Sequence, residues 1–230
     1  MKHASALLLC FVIAGCQFSK DSENKLSGPD AASTLTVEQK AALELGYFYG
    51  SRINLISLPD PLRAKSFAGI EYNKDDLSRL FEKLNIVKTA ADGFVSLTDQ
   101  AMAEGNPIEA SKKLLDVVNA IKTTLSLVFP ESTGQPQIWR VYRIGYSLGY
   151  QFELAAITST GNPTRQNLTT FTGLSQKVRI SLPEDLANSK LPDDIESLIK
   201  DTNMEANTTE DLDSIVKTSL ELYDLIRSEK

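Results

Sequence analysis

At 230 residues, 42% hydrophobic and 23% charged, the chain has ordinary globular composition and length enough for a real core in one domain or two small ones. An excess of 30 acidic over 24 basic residues argues against a nucleic-acid partner. One histidine and two cysteines leave little material for metal or nucleophile chemistry.

The N-terminus reads as a targeting segment. Lys2 supplies a positive start, and Ala6 to Gly15 is an apolar run of about ten residues, short of the roughly 20 that span a bilayer. The run ends Ile13-Ala14-Gly15-Cys16, which resembles the lipobox of bacterial lipoproteins. The resemblance implies cleavage before Cys16, a diacylglycerol on its thiol and an acyl chain on its amine, with the small Ala14 and Gly15 suiting a peptidase cleft. With Gln17 rather than Asp after the cysteine, it also implies the outer membrane, facing the periplasm. Several acyl chains, at about 0.8 kcal/mol per buried CH₂, anchor a protein stably.

Loss of residues 1–15 removes His3 and Cys10, so the mature chain has no histidine and its one cysteine is acylated. No disulfide, zinc or haem ligand set, Cys–His nucleophile or cofactor is then expected. Without Lys2 there are 23 basic against 30 acidic residues, a charge of −7, so lipid rather than basic side chains is expected to hold the membrane.

Residues 16–35 form the lipidated N-terminus and a polar stretch with Gly-Pro at 28–29, read as a flexible tether reaching about 25 Å at 5–6 Å × √n. A first helix opens at Thr36, with Gln39 completing a capping box, and stops before Pro59. A loop holding Asp60-Pro61-Leu62-Arg63 and Phe67-Ala68-Gly69-Ile70 leads to a cap at Asn73. One long helix follows to Gly105, with Gly93 as a candidate bend. A third helix starts at Asn106 with Pro107 in its first turn and ends at Pro130.

The second half repeats the plan. Leu45-Gly46-Tyr47-Phe48-Tyr49-Gly50 returns as Ile144-Gly145-Tyr146-Ser147-Leu148-Gly149, each copy placing two glycines on one helix face. Asn162-Pro163-Thr164-Arg165 answers the loop at 60–63, Phe171-Thr172-Gly173-Leu174 answers 67–70, and Asn207-Thr208-Thr209-Glu210 answers the cap at Asn106. The expected fold is all-α: about six helices from two tandem three-helix repeats, 36–131 and 132–230, packed as one domain. Two departures are expected in the second repeat. Thr158 to Ser175 reads as a long loop, and Val178-Arg179-Ile180-Ser181-Leu182 alternates like a short strand before Pro183.

Few residues point to catalysis. Gly145-Tyr146-Ser147-Leu148-Gly149 has the form of a nucleophile elbow, yet lies in a helical pattern with no histidine left to serve it. Ser197-Leu198-Ile199-Lys200 with Lys217-Thr218-Ser219 lacks the third box of penicillin-recognising enzymes. Acidic clusters at Asp75/Asp76, Asp193/Asp194 and Glu210/Asp211/Asp213 sit where helix dipoles favour them, and no metal site is expected.

Four mid-helix glycines, at about 0.8–1 kcal/mol each, imply close approach by something: the paired helix, or a ligand meeting Tyr47 and Tyr146. Arg63 and Arg165 suit local carbonyls or an anionic partner, and Trp139 with Arg140 and Arg143 reads as an exposed aromatic-basic patch. The function expected is a non-catalytic envelope module that binds an envelope protein or small anionic ligand. A carboxylate-dependent glycan hydrolase and a passive structural lipoprotein are the alternatives.

Overall fold

A computed structural model of the chain describes residues 35–53, 73–132, 134–160, 164–202 and 205–227. Cys16, the tether and the 60–70 loop with Arg63 lie outside them. The helices are α1 (Val37–Ile53), α2 (Lys74–Lys83), α3 (Lys88–Met102), α4 (Pro107–Val128) and α5 (Ile138–Thr160) in the first stretch. Then come α6 (Arg165–Arg179), α7 (Leu182–Ser189), α8 (Asp193–Thr202) and α9 (Thr209–Arg227). Among the described residues the fold is all helix, without a strand, and no helix is long and apolar enough to cross a membrane.

Two helices form the centre. Ala41, Ala42, Leu43, Leu45, Gly46, Tyr47, Tyr49 and Gly50 of α1 are all buried, so α1 has almost no solvent face over that stretch. It packs chiefly on α5, whose Val141, Tyr142, Ile144, Leu148, Leu154 and Ala155 are buried as well. Five of the described helices pack on this pair, among them α2 through Leu77, Leu80 and Phe81, α4 through Leu114, Ile121 and Leu125, and α9 through Leu212, Ile215 and Leu222, while α3 packs on α2 and α4, and α8 on α9. A buried hydrogen bond ties α3 to α1: Tyr49 donates to Thr98 Oγ1 at 2.8 Å, and Thr98 donates in turn to the Phe94 carbonyl.

The helix starts follow local chemistry. Thr36 and Gln39 exchange hydrogen bonds of 3.0 and 3.1 Å in a capping box. Asn73 accepts from the Asp75 amide, and Asn106 accepts from the amides of Ile108 and Glu109, with Pro107 behind it. At α9 the cap is Thr208, one residue beyond the expected Asn207. Its hydroxyl accepts from the Asp211 amide, and the Asp211 carboxylate accepts from the amides of Asn207 and Thr208.

Nine helices are described where about six are expected, and three local expectations are corrected. The long second helix breaks at Asn85, not at Gly93. Asn85 takes the left-handed conformation (φ 54°), its amide donating to the Glu82 carbonyl and that of Ile86 to the Phe81 carbonyl. This is a Schellman stop, and the buried pair Phe81 and Ile86 supplies its usual apolar contact. The strand expected at Val178–Leu182 is instead the end of α6, a two-residue turn and the start of α7. Pro183 stands in the first turn of α7, where its missing N–H costs nothing. The expected loop from Thr158 to Ser175 is largely helix, with Thr164 capping α6 through the Asn167 amide.

Candidate functional site

The four glycines lie in the seam between α1 and α5. A Cβ on Gly46 would stand 2.1 Å from the Tyr142 carbonyl oxygen, and one on Gly145 would stand 2.2 Å from that of Leu43. One turn on, Gly50 meets the Tyr146 oxygen at 2.0 Å and Gly149 meets the Tyr47 oxygen at 2.2 Å. Each glycine therefore faces the carbonyl three residues before its counterpart. The contacts advance in the same direction along both helices, so the two run parallel. Backbone fills the space beside all four glycines.

Beyond the seam, toward the C-terminal ends of both helices, lies an aromatic and charged cluster. Tyr47 is buried, stacks on Tyr223 of α9 at 4.4 Å and 22°, and lies 5.8 Å from the Phe152 ring. Its hydroxyl has no hydrogen-bond partner among the described residues, and burial, then Tyr223 and Glu153, push its pKa well up. Arg52 donates to the Phe48 carbonyl at 3.1 Å and the Ser51 hydroxyl at 2.8 Å, with its guanidinium 4.2 Å from the Phe48 ring centre. Burial raises the pKa of the nearby Glu153, and Arg52 draws it partly back down. Tyr146 is half-buried, its ring 6.3 Å from that of Tyr150, and its pKa is raised by burial. The two equivalent tyrosines therefore do not share surroundings.

The opposite end carries Trp139. Its ring is flanked by the guanidiniums of Arg140 at 4.4 Å and Arg143 at 5.6 Å, and by the Lys122 ammonium at 5.4 Å. The sequence reading missed Lys122 because it arrives from α4, a placement that only the packing of α4 on α5 creates. That reading also made the patch more open than it is. Arg140 is only 12% exposed and reaches Asp185 at 3.2 Å and Glu184 at 2.9 Å, while Arg143 reaches the other Asp185 oxygen at 3.2 Å. Burial raises the pKa of Asp185, and Arg143 and Arg140 oppose that rise. The arginines thus clamp α7 onto α5.

The remaining candidates have plain structural surroundings. Ser147 donates to the Val178 carbonyl at 3.3 Å, and Lys200 pairs with Glu196. The Asp211 carboxyl is held below the usual carboxylate range by the backbone amides of Asn207 and Thr208. Asp213 accepts from the Ser159 hydroxyl at 2.8 Å. Arg165 stands exposed at the start of α6, with no ion pair or ring contact to the other candidate residues among those described. Among the described residues no group of three or more metal-ligating side chains converges. No family model, no curated protein and no solved structure matches this chain.

Proposed function

We propose that this protein is a lipid-anchored, non-catalytic binding module of the bacterial cell envelope, held at the outer membrane by acylated Cys16. The observation that carries the anchor is Ile13-Ala14-Gly15-Cys16 closing the apolar run from Ala6 to Gly15. The non-catalytic part is supported by how the polar groups are used. The two described carboxyls raised by burial, Glu153 and Asp185, both lie beside arginines, and Ser147 is occupied by a carbonyl.

The domain is proposed to descend from one duplicated helical unit. The reciprocal glycine contacts support this, because each of the four glycine-to-carbonyl contacts maps onto another when 99 is added to one residue number and subtracted from the other. The partner is an envelope protein or a small anionic ligand, with Arg63 and Arg165 as its contacts.

The test of the anchor is metabolic labelling with a clickable fatty acid in a bacterial host. The wild-type chain takes up label and matures. Cys16→Ser stays unlabelled and uncleaved by the lipoprotein signal peptidase; continued labelling of that variant would sink the assignment. Cross-linking in intact cells tests the binding role, and it expects one stoichiometric partner or ligand.

A further inference from the structure

We infer that the Trp139 end of the helix bundle rests on the surface of the membrane that anchors the chain, an inference that rests on the lipoprotein reading of Cys16. Three helix ends meet there. Gln39, near the start of α1, donates to the carbonyls of Ser189 and Lys190, and the Gln137 amide, just before α5, donates to the neighbouring Asn188 carbonyl. Both helix starts therefore touch one short segment. The last turns of α4 lie at the same end, since Lys122 reaches the Trp139 ring from there.

This is the end at which the chain from Cys16 enters, because the described residues begin at Leu35, two before α1. Only the 18 residues 17–34 separate Cys16 from Leu35, so this end is the one tied most directly to the anchor.

The exposed side chains there suit a lipid surface. Leu127, at 77%, is the most exposed large apolar residue described, with Val128 beside it and Val37 at 58% on the first turn of α1. Trp139 with Lys122, Arg140 and Arg143 combines an amphipathic ring with cations, the pairing that settles at headgroup depth. Acidic groups share this end: Glu184 and Asp185 pair with Arg140 and Arg143, and Glu38 stands in the first turn of α1. Contact comes from the apolar tip and the tryptophan, with Lys122 beside the ring as the cation left to meet phosphate, since Arg140 and Arg143 are held by Asp185.

Trp139 is the only tryptophan, so its emission reports on this surface alone. Full-length lipidated protein is placed in vesicles of phosphatidylcholine and phosphatidylglycerol, with and without bromine on the acyl chains. Emission is expected to fall by about half in the brominated vesicles, as for a ring at headgroup depth. Leu127→Asp with Val128→Asp restores it, whereas Leu220→Asp, an exposed site on α9, leaves the quenching in place. Labelled Cys16 with unquenched Trp139 overturns the docking and spares the anchor. No label at Cys16 overturns both. Shielding of Trp139 from acrylamide by an envelope extract, without bromine quenching, assigns this end to a protein and also overturns the docking.

Discussion

Gly46 and Gly93 share the same chemistry, a missing side chain in mid-helix, in opposite surroundings. Beside Gly46, and beside Gly50, Gly145 and Gly149, the backbone of a second helix lies closer than any Cβ allows. Beside Gly93 in α3 and Gly173 in α6 a Cβ would meet nothing within 4 Å. Each glycine weakens its own helix by about 0.8–1 kcal/mol relative to alanine. In the seam that loss is offset by backbone contact between α1 and α5, and on the outer helices no packing offsets it. A mid-helix glycine thus has its meaning set by its neighbour in space.

Alanine separates the two groups. Gly50→Ala or Gly145→Ala forces α1 and α5 apart and is expected to cost about 3 kcal/mol or more, read as a lower urea midpoint. Gly46→Ala together with Gly145→Ala should cost less than the two singles summed, because one separation relieves both contacts. Strict additivity there would break the two-fold account of the seam. Gly93→Ala and Gly173→Ala are expected to raise stability by about 0.5–1 kcal/mol, and a loss at either would show a contact beyond those described.

The smallest effect concerns the cluster beyond the seam. Burial raises the Glu153 pKa, so the folded chain holds that proton more tightly than the unfolded one. Its contribution is complete below the ordinary glutamate value and is lost as pH rises through the folded value. Glu153→Gln should therefore flatten the decline of stability over that window. An unchanged slope would mean that Glu153 is as well solvated folded as unfolded.

Helix starts were legible where one side chain serves its own backbone, as at Thr36 with Gln39, Asn73 and Asn106. The stop at Asn85 was signalled weakly, by an asparagine that tolerates positive φ, and Gly93 drew attention from it. The alternation at Val178–Leu182 misled because a strand needs a partner ladder, and none exists among the described residues for it to join. Trp139, Arg140 and Arg143 could be found from one helix's spacing. Their ties to Asp185 and Lys122 join residues far apart in sequence, which periodicity within a helix cannot register.

Sequence by itself determined the all-helical class, most of the caps and the presence of two matched glycine pairs, since each depends on residues within a turn or two of one another. Tertiary structure decided that those pairs face each other, that the arginines beside Trp139 clamp α7, and that Tyr47 is buried while Tyr146 is half open. The physical reason is range: capping and helix period act over about four residues, whereas burial and ion pairing depend on which distant helix comes to lie alongside.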